Sequence, residues 1–312
     1  MWCSRSSTPG VFRLIDQTSE DRSTPDAAIA EIRDERFKAW LKGQCSIRAW
    51  LSKAASAAST MRPMAYIRIA NTNEECGMDL RALVFDVFGT VVDWRGGVAR
   101  QVHRLLPDVD AEAFADAWRA CYVPSMDRVR RGERPWANLD TLHRESLDTL
   151  LTEFGEDPDE PTRVELVLAW HRLDPWPDAV AALTRLRERY VLATLSNGNV
   201  ALLVDMAKRA GLPWDAVLSA ELFGHYKPDA EVYDGAVRLL GRVPEQVMMV
   251  AAHVNDVAAA RGRGLRTAYV HRPEEFGPGT TPPADDPDAD FSVASMTDLA
   301  DRLAVTTAPA EG

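Results

Sequence analysis

The sequence lacks a long apolar run, paired cysteines and a basic stripe. No stretch approaches the roughly 18 apolar residues of a membrane helix, and the N-terminus has no apolar segment typical of a secretory signal. The four cysteines, Cys3, Cys45, Cys76 and Cys121, lie far apart, so neither a disulfide framework nor a zinc site is indicated. The net charge of -11 argues against a nucleic-acid partner. We therefore expect a soluble cytoplasmic protein with free thiols, without nucleic-acid or membrane partners.

Residues 1–77 differ in composition from the rest of the chain. They are rich in serine, arginine and small residues, and apolar spacing predicts one helix from about Pro25 to Leu51. Acidic residues are too frequent here for an organellar transit peptide. Because Met78 stands directly before the first predicted core strand, we expect residues 1–77 to be dispensable, either a loosely attached tail or a mispredicted upstream start.

The segment from Arg81 to Trp94, RALVFDVFGTVVDW, predicts a buried strand followed by a tight turn. Its continuous apolar run is typical of a strand covered on both faces. Asp86 then lies at the carboxyl end of that strand, the edge where open α/β sheets bind ligands. Such a carboxylate is a candidate nucleophile or metal ligand, and the alternative is a solvated aspartate that caps the turn. This segment alone does not decide between them.

The region from about 96 to 174 has helical periodicity and no strand signals. Apolar spacing predicts helices at 96–105, 111–129, 138–154 and 159–172. A helical block between the first strand and the remainder of a sheet indicates an inserted cap domain, here 96–174. Two prolines around Trp176 mark the predicted return to the core.

Beyond residue 175 the chain alternates helices with short apolar strands, which is typical of a parallel sheet wrapped by helices. The strands end in polar residues that could face one shared site: Ser196 and Asn197, then the HYKPDAEVY segment with Lys227 and Tyr233, then AAHVND with His253 and Asp256. The predicted strands are Val191 to Leu195, Ala216 to Ser219, Val247 to Ala251 and Thr267 to Val270. A closing helix is expected near 296–304, and residues 305–312 are expected to be disordered.

Together these features resemble the four ordered motifs of the haloacid dehalogenase superfamily, over about Met78 to Leu303. The motif residues are Asp86 with Gly89 and Thr90, Ser196 with Asn197, Lys227 before Pro228, and Asp256. The resemblance implies an α/β fold: a Rossmannoid core of parallel strands flanked by helices, at 78–95 and 175–304, with a helical cap inserted after the first strand.

Most members of that superfamily are phosphatases, which carry a second acid two positions after the nucleophile and another four residues before the last aspartate. Here these positions hold Phe88 and Ala252, so a site for magnesium has lost two carboxylates. The sequence is instead similar to the type II 2-haloacid dehalogenase branch. The DVFGT segment of this chain closely matches the first motif of that branch. The chain departs from that branch at Ala251, Ala252, His253 and Asn255.

The resemblance implies metal-independent hydrolysis of small 2-haloalkanoic acids to 2-hydroxy acids, without a cofactor. Asp86 would displace halide from carbon and form an ester that water then hydrolyses. Arg119, beside Trp118 in the cap, would meet the leaving halide, and Lys227 would offset the charge of Asp86 and of the substrate carboxylate. The other residues implied are Thr90 in catalysis, and Ser196, Asn197, Tyr233 and His253 in substrate binding.

Several alternatives stay open at the level of sequence. Asp256 is our first choice for activating the hydrolytic water, and His253 is its rival because an ordinary histidine pKa suits a general base. The same machinery could act on another leaving group, such as a strained-ring amino acid or a phosphate ester, and a non-catalytic binding relative is a third reading. Dimerisation through the cap helices is typical of the resembled group, but the sequence does not decide it.

Overall fold

The structure, a computed structural model, describes residues 79–306. The predictions for residues 1–77 and for residues 307–312 lie outside this range. Among the described residues, no helix combines the length and the apolar character needed to cross a membrane.

The core is a six-stranded parallel sheet in the order β5-β4-β1-β6-β7-β8. Its strands are β1 Ala82–Phe85, β4 Val191–Ser196, β5 Ala216–Ser219, β6 Val247–Ala251, β7 Arg266–Val270 and β8 Phe291–Val293. The α/β fold and the five strands expected from apolar runs are confirmed within a residue at each end. The short β8 was missed, because it follows a long polar loop and contains only three residues.

Alternate residues of β1 belong to two hydrophobic clusters on opposite faces of the sheet. Leu83 and Phe85 pack into one cluster, and Ala82 and Val84 pack into the other. This double burial explains why the strand is continuously apolar rather than alternating. β1 lies between β4 and β6, so β4 and β5 are on one side of it and the later strands are on the other. In open α/β sheets, such a reversal of strand order places a crevice at the carboxyl end of the strand.

A run of helices separates β2 Val92–Asp93 from β3 Asp174–Pro175, and these two short strands pair antiparallel. The helices are α1 Trp94–Leu105, α2 Ala111–Ala120, α3 Tyr122–Arg130, α4 Leu139–Phe154 and α5 Glu160–Val167, followed by a 3₁₀ turn at Leu168–Arg172. The helix predicted at 111–129 is therefore two helices that meet at Cys121, and the one predicted at 159–172 changes to 3₁₀ geometry after Val167. The extent of a separate cap domain stays a prediction.

Helices of the core precede, connect or follow the parallel strands. They are α6 Ala179–Arg187, α7 Val200–Ala210, α8 Ala230–Leu239, α9 Val254–Gly262 and α10 Met296–Thr306. The last helix continues to Thr306, so residues 305 and 306, which were expected to be disordered, are helical. Because all strands are parallel, their carboxyl ends lie at one edge of the sheet, and the polar residues that follow β1, β4 and β6 meet there.

Candidate active site

Asp86 follows β1 directly, and its buried carboxylate has three donors. Oδ2 accepts from Thr90 Oγ1 at 2.8 Å and lies 3.1 Å from His253 Nδ1, while Oδ1 accepts from Lys227 Nζ at 2.8 Å. Burial alone would raise the pKa of Asp86, but the charge of Lys227 and the hydrogen bond from His253 outweigh it and lower the pKa far below its ordinary value. Asp86 is therefore a buried, ionised carboxylate.

Thr90 ties this turn to the neighbouring strand. Its hydroxyl donates to Asp86 and accepts from the Ala252 N–H at 2.9 Å, just beyond the end of β6. Gly89, with φ of +82°, allows the turn between these two residues. Thr90 therefore holds Asp86, the candidate nucleophile, close to the end of β6.

Lys227 lies between two carboxylates, one directly after β1 and one in the helix that follows β6. Its Nζ donates to Asp86 and, at 2.5 Å, to Asp256 Oδ2. Burial lowers the pKa of Lys227, but the charges of Asp256 and Asp86 raise it above its ordinary value, so the lysine is a cation. The loop that carries it is held on one side by Asn197, whose Oδ1 accepts from the Lys227 N–H at 2.8 Å.

Asp256 lies in the first turn of α9, where the N-terminal end of the helix favours a negative charge. Its Oδ1 accepts from Tyr233 Oη at 2.6 Å. Burial and the nearby charge of Asp86 raise the pKa of Asp256 despite the opposing effect of Lys227. A carboxylate with a raised pKa is a stronger base than an ordinary aspartate.

His253 bridges two carboxylates, a geometry that argues against its acting as a resting general base. Its Nδ1 faces Asp86, and its Nε2 lies 2.9 Å from Oε1 of Glu275. Burial lowers the pKa of His253, but the hydrogen bonds to Asp86 and Glu275 raise it to about 10. The imidazole is protonated at neutral pH, and a protonated imidazole cannot take a proton from water.

Sequence reasoning missed Glu275, which lies in the loop between β7 and β8. That loop contains several prolines and acids, and nothing in its composition marks one of the acids as buried. The Glu275 side chain is fully buried, and its Oε1 also accepts from Trp94 Nε1 at 3.1 Å. Only the fold brings it beside His253.

The predicted substrate-binding residues after β4 divide into two groups. Asn197 lines the cavity above Asp86. Ser196 is buried, its hydroxyl accepts from the Gly198 N–H at 3.2 Å, and it is not among the residues that line the cavity. The structure therefore brings Asn197 to the site surface and leaves Ser196 one layer beneath it.

Arg119 at the end of α2 reaches the same cavity from the helical insertion. Its guanidinium lies over the Tyr122 ring at 4.0 Å and near the Trp94 ring at 5.2 Å. Its Nη1 is buried and has no hydrogen-bond partner among residues 79–306. A cation held by aromatic faces, with an unused donor, is suited to bind an anion.

The cavity has a volume of about 540 Å³ and combines these charged groups with an apolar wall. The wall includes Phe88, Tyr122, Val123, Met126 and Phe276. Phe88, where phosphatases place an acid, packs edge-on against Tyr122 and Trp170. Within residues 79–306, no group of three or more His, Cys, Asp or Glu side chains is arranged to hold a metal ion.

Known proteins resemble this chain over the described region. Residues 80–264 match the family described as haloacid dehalogenase-like hydrolase. A curated relative, (S)-2-haloacid dehalogenase 4A from Burkholderia cepacia, is 31% identical over 207 residues, which is 64% of this chain and 88% of the relative.

Two solved structures are also similar. A defluorinating L-2-haloacid dehalogenase is 47% identical, with a TM-score of 0.71 over 72% of this chain and 95% of its own. The L-2-haloacid dehalogenase from Xanthobacter autotrophicus with chloropropionic acid covalently bound is 30% identical, with a TM-score of 0.63 over 73% of this chain and 100% of its own.

Proposed function

The chain belongs to the haloacid dehalogenase-like hydrolases, in the branch of the L-2-haloacid dehalogenases, and on this premise we propose that it hydrolyses small 2-haloalkanoic acids to 2-hydroxy acids. The observation that carries the proposal is the pairing, across one cavity, of a buried, ionised Asp86 with Arg119, whose Nη1 has no partner in the described part of the chain. A nucleophilic carboxylate and a cation for its leaving group are what displacement of halide requires.

In the first step an Asp86 oxygen attacks the halogen-bearing carbon from the side opposite the halogen. The carbon–halogen bond breaks as the ester bond forms, and the halide leaves with the bonding electron pair. Lys227 keeps the resting nucleophile charged, and the apolar wall limits its hydration, which would otherwise weaken it.

The cation of Arg119 is proposed to bind the halide as it departs. Its aromatic cradle restricts the side chain, so little reorganisation is needed when negative charge develops. A small acid occupies only part of a cavity of about 540 Å³, so we expect the helical insertion to close further over bound substrate.

In the second step a water molecule attacks the carbonyl carbon of the ester, and Asp256 takes its proton. The hydroxy acid leaves, Asp86 is restored, and the complete cycle releases one halide and one proton. Asp256 and His253 both line the cavity. Asp256 is favoured for this role because its raised pKa makes it a better base, whereas both ring nitrogens of His253 already carry protons.

The proposal includes independence from metal ions. It is supported by the residues at the two positions where phosphatases place acids: Phe88 is packed among aromatic rings, and Ala252 is buried. Carboxylates are what magnesium needs to offset its charge, and neither position can supply one.

The testing experiment measures halide release from L- and D-2-chloropropionate and from fluoroacetate, with EDTA present. We expect release from the L enantiomer that resists EDTA and is abolished in Asp86→Asn, a substitution that preserves the size of the side chain. Release that persists in Asp86→Asn would contradict the nucleophile, and release that requires magnesium would contradict the reaction class.

A homodimer and a cytoplasmic location are further parts of the proposal. The chain has a mass of 34.5 kDa, so light scattering after gel filtration distinguishes a monomer from a species of twice that mass. Cell fractionation with an antibody to the protein tests the location.

A further inference from the structure

Glu275 is a buried acid for which the proposed reaction has so far given no role. Its Oε1 bonds to His253 and Trp94, and its Oε2 is buried without a partner among the described residues. The carboxylate lies directly against Gly89, because a Cβ atom at that position would come within 2.1 Å of Oε1. The glycine of the first motif therefore makes room for this acid.

The contacts of His253 define its charge state by geometry. A neutral imidazole has one N–H and one lone pair, whereas an imidazolium has two N–H donors. Both nitrogens of His253 face carboxylate oxygens, on Asp86 and on Glu275. A lone pair in either place would repel a carboxylate, so the arrangement selects the doubly protonated ring.

The donors to Asp86 are unequally shared between its two oxygens. Oδ2 is engaged by Thr90 and His253, whereas Oδ1 is engaged by Lys227. The oxygen with fewer donors has more lone-pair density available for attack, so Oδ1 becomes the ester oxygen. Oδ2 then becomes the carbonyl oxygen of the ester, with two donors already in place.

We propose that His253 is a catalytic residue that forms, with Thr90, an oxyanion hole on Asp86 Oδ2 for hydrolysis of the ester, and that Glu275 is the positioning residue that keeps His253 charged. The inference rests on the proposed function. Water oxygen adds to Asp86 Cγ, its proton moves to Asp256, and the carbonyl electron pair moves to Oδ2. When the pair returns, the Cγ–Oδ1 bond breaks, and the departing oxygen takes the proton from Asp256. The hydroxyl added to Cγ then ionises, which restores the Asp86 carboxylate and releases the second proton of the water.

The contribution of Glu275 is greatest after the ester forms. In the resting site His253 faces two negative groups, Asp86 from β1 and Glu275 from the β7–β8 loop, while Lys227 lies beyond Asp86 and pairs with Asp256. Arg119 lines the same cavity. Esterification removes the charge of Asp86. Of the two carboxylates that contact His253, Glu275 is then the one that is still charged and keeps His253 protonated.

The first test is Glu275→Gln, which keeps the shape of the side chain and an oxygen for Trp94. Rapid quench with L-2-chloropropionate separates the halide burst from ester hydrolysis, and intact-mass spectrometry detects the ester. We expect a burst within about threefold of wild type, but hydrolysis slowed roughly 10- to 100-fold at pH 9, somewhat less than the loss typical when an oxyanion donor is removed. The defect should shrink toward pH 6, where His253 regains its proton.

The matched control is His253→Asn, whose side-chain amide can donate near the position of Nδ1 without titrating. In this background Glu275→Gln should have almost no further effect, because Glu275 acts through His253. The NMR titration of His253 in folded protein should also move to lower pH in Glu275→Gln, which a merely structural role would not produce.

Three results would overturn the inference: equal slowing of burst and hydrolysis, an effect of Glu275→Gln that persists in the His253→Asn background, or an unchanged His253 titration. If wild type releases halide and Glu275→Gln behaves identically at every pH, the proposed function stands and this inference fails. If wild type releases no halide from any substrate, both fail together.

Discussion

Lys227 shows how strongly one residue determines the state of the site. It neutralises Asp86 and Asp256, which are both buried and would otherwise repel each other. Removing one member of a buried ion pair costs about 3–5 kcal/mol because it leaves an uncompensated charge. The lysine is therefore expected to matter for folding as well as for the reaction.

We predict that Lys227→Met lowers the free energy of unfolding by about 3–5 kcal/mol at pH 8 and abolishes halide release. Urea denaturation followed by circular dichroism measures the first effect. The double variant Lys227→Met with Asp256→Asn removes one carboxylate as well, so it should recover part of the stability but none of the activity. Equal stability of the single and double variants would contradict the shared-cation explanation.

At the residue scale, the sequence predicted which residues meet in the site better than it predicted their protonation states. The order of Asp86, Lys227 and Asp256 at strand ends predicted that they would meet, and they do. The charge of His253 could not be predicted, because it depends on Glu275, an acid 22 residues away in an irregular loop. Ser196 was expected at the surface of the site, but its hydroxyl is used within its own turn.

At the scale of elements, two histidines in and beside the helical insertion respond oppositely to pH. His143 on α4 is buried, stacks on Trp170 at 4.2 Å between ring centroids, and has no hydrogen-bond partner for either ring nitrogen in the described chain. Burial lowers the pKa of His143 to about 3. His171 lies between Asp140 on α4 and Asp205 on α7, which raise its pKa against the effect of burial.

We predict that His143→Phe makes the protein more resistant to acid. Because the folded pKa of His143 is below its unfolded value near 6.5, wild-type stability is unaffected above pH 6.5 and falls as the pH drops toward 3. At pH 5 this costs on the order of 1–2 kcal/mol. The phenyl ring preserves the stacking and cannot take a proton, so the difference between the variants in urea midpoint should grow as pH falls from 7 to 5.

His171→Gln is the contrasting control. A raised folded pKa gives stabilisation that is complete below pH 6.5 and is lost as pH rises through the folded value, so this variant should be most destabilised near pH 6 and least near pH 9. If the two substitutions showed the same pH trend, the assignment of their charge states would be wrong.

The elements themselves were predicted with uneven success for a physical reason. Long apolar runs and helical periodicity report burial, so the parallel strands and most helices could be found from sequence. The break at Cys121 leaves no such mark, since apolar spacing continues from α2 into α3. The pairing of Val92 with Pro175 joins residues 83 positions apart, and a two-residue strand has no periodicity to detect.

At the scale of the whole molecule, the reacting groups are drawn from distant parts of the chain. Asp86 comes from the first strand, Arg119 from the helical insertion, and Glu275 from a loop near the end of the sheet. The sequence could predict the fold that gathers them, because four motifs in order define its strand ends. It could not predict the volume of the cavity, which depends on how the helices pack over the sheet.

Residues 1–77 provide the last prediction, since Asp86, Arg119, Lys227 and Asp256 all lie after them in the chain. The family match begins at residue 80, two positions after Met78. We predict that a variant starting at Met78 releases halide from L-2-chloropropionate with kcat/KM within about twofold of the full chain, because no reacting group has been removed. Halide assays and thermal melts of the two proteins, purified side by side, measure this. A large loss of activity with an unchanged melting temperature would show that residues 1–77 contribute to the reaction, and a loss of both would show that they contribute to folding.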